Sequence, residues 1–134
     1  MPPKKNTILP SDAELAILRV LWKRGAATAK EIHEELNAGR DAQRVVTTTA
    51  KLLQIMLEKE LVKRDDSTWP HTYRANIAKR NVQRGVVKKA VADVFEKSAS
   101  QFILAALESG KPSAAELDEI KTMLADYEAR QEKK

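Results

Sequence analysis

Two capping signatures near the start of the chain constrain its fold more than any other feature. Ser11 is followed three residues later by Glu14, and Thr28 by Glu31. At this spacing a side-chain oxygen and a carboxylate satisfy each other's free backbone N–H groups at a helix start. After Ser11, Leu15, Leu18, Leu21 and Trp22 recur at helical spacing with Ile17 beside them, and Gly25 ends the run. After Thr28 a short helix is expected from Ala29 to about Asn37, with Ile32 and Leu36 inward and Asn37 and Gly39 ending it. A third helix is expected from about Ala42 to Lys59. At about 100° per residue, Val45, Val46, Thr49, Leu53 and Met56 share one face. Arg44, Thr47, Lys51, Gln54 and Glu58 share the other, with Thr48 on the flank.

Leu61 to Arg64 then reads as a strand, Asp65 to Pro70 as a turn, and His71 to Ala75 as the returning strand. Three helices followed by a hairpin is the order of a winged helix-turn-helix. From Lys79 the texture changes. Val82, Val86, Val87, Ala90, Val91, Val94 and Phe95 form a helical stripe that Ser98 to Gln101 interrupts. Phe102 to Leu107 predicts a short apolar helix ended by Gly110 and Pro112. Ser113 and Glu116 repeat the capping spacing. Leu117, Ile120, Leu124 and Tyr127 approach a heptad seam, and the charged tail from Glu128 is expected to fray. The fold class is therefore mainly α with a small β-hairpin. Residues 1–78 are expected to form a winged-helix DNA-binding domain with a short flexible arm, and 79–134 a helical dimerisation domain.

Composition agrees with this and removes several chemistries. Aromatics are 4% and charged residues 32% of 134 residues, a balance that suits helices better than a sandwich or barrel. The absence of Cys excludes disulfides, thiolate metal sites and cysteine nucleophiles. His33 and His71 leave little for a metal site or a triad, and no nucleophile stands beside a base. An enzyme, a metal and a cofactor are not expected. Without a membrane-length apolar run or a signal peptide, the chain reads as cytoplasmic.

The net charge of +5 is compatible with nucleic acid, but it is spread over both halves, +3 in 1–78 and +2 in 79–134. The stronger signal is the polar face of the third helix. Small and polar side chains near the N-terminus of such a helix approach base edges in a major groove. Arg44, Thr47, Thr48 and Lys51 fit that requirement, with Lys51 best suited to phosphate. A solvated helix face has the same composition, so the order of the elements decides. In the hairpin, Lys63, Arg64, His71 and Arg74 suit a phosphate backbone, while Asp65 and Asp66 oppose it. Trp69 is expected to cap the hairpin's own apolar face. His33 is expected at an edge. Lys79, Arg80, Arg84, Lys88 and Lys89 form a basic run without an acid, which reads as a solvated face or as a positive surface beside the DNA-binding half.

The last segments carry more apolar surface than one hairpin of helices hides. Val87, Val91, Val94, Phe95, Phe102, Ile103, Leu107, Leu117, Ile120 and Leu124 are expected to pack against a second copy. Such a homodimer presents two recognition helices to a palindromic operator in double-stranded DNA. The alternative is a winged-helix protein-interaction module without sequence-specific DNA binding.

From Leu9 to Tyr127 the chain resembles the penicillinase-repressor (BlaI/MecI/CopY) family. The residues that carry the resemblance are Ser11-Asp12-Ala13-Glu14 leading into Leu21-Trp22, Thr28 to Ile32, Thr47-Thr48, Met56 to Arg64, and Tyr73. The resemblance implies a homodimeric repressor with an N-terminal winged helix on the operator and C-terminal helices in the dimer. In some members a membrane sensor-protease system triggers cleavage of the C-terminal half and release from DNA. The Cys-rich metal site of the copper-responsive branch has no counterpart here. Ala105-Ala106 stands where the penicillinase repressors carry an Asn-Phe cleavage bond. Ile55 and Ala50 stand where some relatives carry Arg, so contacts made there do not transfer.

Overall fold

The computed structural model describes residues 9–38 and 46–132. The first helix, α1 (Asp12–Arg24), starts at the expected cap. Ser11 Oγ accepts from Glu14 N, and Glu14 Oε1 accepts from Ser11 N at 2.8 Å. Gly25 at φ 85° ends it, returning its N–H to Leu21 O. A two-residue strand, β1 (Ala27–Thr28), leads into α2 (Ala29–Asn37), which Thr28 and Glu31 cap in the same reciprocal way. α3 (Val46–Glu58) follows; the part of the third helix expected over 42–45 lies outside the described residues, as does Gly39.

α3 ends in a Schellman turn. Leu61 N donates to Met56 O and Glu60 N to Leu57 O, with Glu60 left-handed at φ 63°. Leu61 and Met56 are both buried, the apolar contact that accompanies this motif. The turn delivers the chain directly into β2 (Val62–Asp65), which pairs antiparallel with β3 (Thr72–Ala75). The expected hairpin is thus two strands of a three-stranded sheet in the order β1-β3-β2, because Ala27 and Thr28 pair with Tyr73 and Thr72.

Ile17, Leu18, Leu21, Ile32, Leu53, Met56, Leu61 and Val62 form one core, with Trp22, Leu36 and Tyr73 packed around it. Trp22 Nε1 donates to Ile77 O at 2.9 Å and ties α1 to the segment leaving the sheet. Glu14 is 1% exposed and joins Lys59, just past α3, through Nζ at 3.0 Å. Burial alone raises the Glu14 pKa. The Ser11 backbone N–H, the Lys59 ammonium and the Ser11 hydroxyl outweigh it and hold the carboxyl below its ordinary value.

The chain divides into two compact units, Met1–Lys88 and Lys89–Lys134, a division that falls within α4 (Lys79–Asp93). α4 ends earlier than the apolar stripe suggests. Glu96 and Lys97 take positive φ (50° and 66°), so Val94 and Phe95 stand in the turn. Ser98 starts the next helix rather than interrupting one, since its Oγ accepts from Gln101 N at the head of α5 (Ala99–Gly110). Gly110 is the last residue of α5, and left-handed Lys111 is its cap. Ser113 Oγ accepts from Glu116 N at the start of α6 (Ala114–Glu132), which stays helical beyond Glu128. Neither α5 nor α6 holds a buried residue. No helix among the described residues is long and apolar enough to cross a membrane.

Candidate nucleic-acid interface

The interface is built on α3, whose two faces differ sharply. Thr49, Leu53 and Met56 are fully buried, which turns Thr48, Lys51, Gln54 and Glu58 to solvent. The helix is also held by polar bonds. The His33 ring is hydrogen-bonded on both sides, through Nε2 to the Asn37 amide at 3.0 Å and through Nδ1 to Thr49 Oγ1 at 3.1 Å. The buried Thr49 hydroxyl is thereby satisfied, and α2 is pinned to the first turns of α3. Arg24 reaches Glu31 at 3.1 Å and Glu35 at 3.2 Å, linking the end of α1 to α2.

Of the predicted reading residues, Thr48 and Lys51 lie on the exposed face, and Thr47 stands in the first turn of α3. Arg44 lies outside the described residues.

The hairpin splits its predicted cations between two faces. Lys63 stands directly opposite Arg74, and both are exposed. Like charges opposed across a strand pair repel, so this face accepts an anion favourably. Arg64 pairs in register with Tyr73 on the other face. At the turn Arg64 Nε donates to Asp66 Oδ1, and His71 Nδ1 lies 3.6 Å from the same oxygen. Asp66, and after it the Tyr73 hydroxyl, raises the Arg64 pKa. The Ser67 hydroxyl and backbone N–H hold Asp65 below its ordinary carboxylate value. Arg64 and His71 therefore meet at one carboxylate, an arrangement that sequence reasoning missed. Its signal was Asp66 two residues after Arg64, read there as mere repulsion.

Trp69 corrects an expectation. It is 84% exposed and meets only the edge of His71, with ring centroids 4.9 Å apart. The indole covers no apolar face of the hairpin, because the apolar side chains that face the core, Val62, Tyr73 and Ala75, stand in the paired strands, whereas Trp69 stands in the exposed turn between them. His33 also does more than sit at an edge, since it bridges Asn37 and Thr49. Among the described residues no group of three His, Asp or Glu side chains is placed to hold a metal ion.

The residues expected to meet a second copy remain open to solvent or half-buried. Val94 is 70%, Leu124 59%, Ile103 51%, Val87 41% and Leu117 38% exposed. Val91, Phe95, Phe102, Leu107 and Ile120 are half-buried, with Phe95 edge-on to Phe102 at 5.3 Å.

The model of the family described as Penicillinase repressor matches residues 10–126. Among solved structures, the complex of hsRosR-SG is 20% identical, with a TM-score of 0.51 over 94% of this chain and 97% of that one. The hsRosR-S1 complex is 18% identical, with a TM-score of 0.48 over 77% of this chain and 96% of that one. A ZitR mutant from Lactococcus lactis is 20% identical, with a TM-score of 0.35 over 95% of this chain and 85% of that one. No curated protein matches the sequence.

Proposed function

The chain belongs to the penicillinase repressor family of DNA-binding transcriptional repressors, and we propose that it acts as a homodimer on a palindromic operator. The exposed Thr48–Lys51 face of α3, backed by fully buried Thr49, Leu53 and Met56, carries this reading. In the proposed complex Arg44, Thr47 and Thr48 meet base edges in the major groove, and Lys51 meets phosphate. The opposed Lys63 and Arg74 favour a phosphate on one face of the wing, while Arg64 and His71 reach it only by exchanging Asp66 for phosphate.

The second copy covers the C-terminal helices. Helices with no buried residue and apolar side chains half exposed are stabilised by a partner surface, and an identical chain supplies one with closed symmetry. Residues 1–78 are the DNA-binding domain and 79–134 the dimerisation domain in this reading. With no Cys in the chain, the Cys-based metal switch of the copper-responsive branch has no counterpart, and the routes left for release from DNA are proteolysis through a membrane sensor-protease system, as the resemblance implies, or another signal.

Footprinting on the DNA upstream of the chain's own gene tests the proposal. Two protected half-sites about one helical turn apart are expected. Failure to bind any duplex at low salt, or a monomeric mass by sedimentation at micromolar concentration, refutes the corresponding half of it.

A further inference from the structure

The basic run that opens the second half becomes a defined surface on α4. Arg80, Arg84 and Lys88 stand at successive i, i+4 positions, about 6 Å apart along the helix axis. With Gln83 and Val87 they line a shallow groove. All three cations are exposed and have no acidic partner among the described residues. The packing of α4 explains their exposure. Val82 is 4% exposed, and a Cβ at Gly85 would come within 2.8 Å of Leu9 Cδ2, so that side of the helix faces protein. At about 100° per residue, Val82 lies about 160° and Gly85 about 100° around the helix from Arg84, the middle of the ridge.

Elsewhere on the same helix a cation is neutralised locally, as Lys89 is by Asp93 at 2.7 Å. The ridge has no such relief, and like charges at i, i+4 destabilise a helix. An anion with a repeated charge along a line offsets that cost. Two of the three groups are guanidinium forks, which match phosphate oxygens in pairs. Their step along the axis is comparable to the separation of neighbouring phosphates on one strand. The ridge lies in the same compact unit as α3 and the wing, and α4 begins four residues after β3 ends.

We propose that Arg80, Arg84 and Lys88 form a second phosphate-binding surface, which grips the backbone of duplex DNA in addition to the contacts of α3 and the wing. The proposal rests on the DNA-binding reading above. Its test is a salt titration of the full-length protein on a long mixed-sequence duplex. The Arg80→Gln/Arg84→Gln/Lys88→Gln variant is compared with a charge-matched control, Lys111→Gln/Lys121→Gln/Arg130→Gln. All six positions are exposed, and circular dichroism verifies folding.

Loss of three phosphate contacts is expected to flatten the log–log salt slope by about 2–3 units in the ridge variant, with a change under about 1 unit in the control. Hydroxyl-radical protection by the ridge variant is expected to be shorter than that by the parent. An unchanged slope, or an equal fall in the control, assigns the ridge to another partner or to bulk charge and overturns the proposal. If the parent itself binds no duplex, the DNA reading of α3 fails with it. A ridge variant that keeps its full slope leaves the α3 reading standing.

Discussion

Asp66→Asn is expected to tighten DNA binding, although it lies in the wing and removes an ion pair. In the free protein Asp66 accepts from Arg64 Nε and sits 3.6 Å from His71 Nδ1. Its charge occupies the guanidinium that phosphate needs, and it repels the phosphate as it arrives. Asn keeps the size of the side chain and removes the charge. Arg64 is then free to make one further phosphate contact, which steepens the log–log salt slope by about 0.9. Between 50 and 200 mM salt that slope is worth about 3.5-fold in relative affinity. The expected gain at the lower salt is about two- to fivefold, because an exposed ion pair is weak and little is lost with it. Fluorescence anisotropy of a labelled duplex across a salt series measures both quantities. The double variant Arg64→Ala/Asp66→Asn closes a cycle, and the gain must vanish in it, since the effect acts through Arg64. Weaker binding by Asp66→Asn, or a gain that survives loss of Arg64, refutes the idea that Asp66 masks a DNA contact.

Three other outcomes are expected. Lys51→Ala weakens binding to all duplexes alike and flattens the salt slope by about 1 unit; an unchanged slope removes Lys51 from the interface. Glu14→Gln keeps the cap but loses the charge facing Lys59, at a cost of about 1–2 kcal/mol in urea unfolding at neutral pH, the exposed end of Lys59 reducing the value. The Glu14 carboxyl titrates lower in the fold than its ordinary 4.5, so this contribution is full above that value and is lost as pH falls through the folded pKa. The gap between parent and variant should therefore close in acid, and a gap constant to pH 2 contradicts the assignment. Ile103→Asp with Leu124→Asp raises the dimer dissociation constant about 100-fold or more, read by sedimentation equilibrium; an unchanged mass distribution places the interface elsewhere.

Local chemistry was legible in the sequence, and pairing between distant residues was not. The caps at Ser11 and Thr28 require only residues three apart, and both formed as read. The inward face of α3 followed from helical spacing alone, down to buried Thr49. By contrast, β1 is two residues long and carries no strand signal; it exists because Ala27 and Thr28 meet β3 across 44 to 46 residues of chain. Glu14 was read as a cap, yet the same carboxylate binds Lys59, 45 residues on. The Asn37–His33–Thr49 relay crosses from α2 to α3 and leaves no trace in either helix's periodicity. Trp69 was expected from its residue type to cap the hairpin's apolar face, but it stands in the exposed turn, apart from the strand side chains that face the core.

Periodicity says which residues favour burial, but not what buries them. Ile17 in α1 and Ile103 in α5 both sit in helical apolar stripes, yet one is fully buried and the other 51% exposed. The difference lies in the number of facing surfaces. The stripe of α1 meets Ile32 from α2, Leu53 and Met56 from α3, and Val62 from β2. Within its own unit neither α5 nor α6 holds a buried residue, and the edge-on contact of Phe102 with Phe95 leaves Ile103 half exposed. In the proposed dimer the exposed apolar faces of α5 and α6 are covered by an outside surface. If that surface is a second copy, the stability of this unit rises with concentration while that of the N-terminal core does not. Loss of the partner then separates the two reading heads without unfolding either. Each head binds DNA alone, without the effective concentration that linkage provides. In the proposed dimer, opening the C-terminal unit is therefore expected to weaken operator binding wherever in that unit the opening begins.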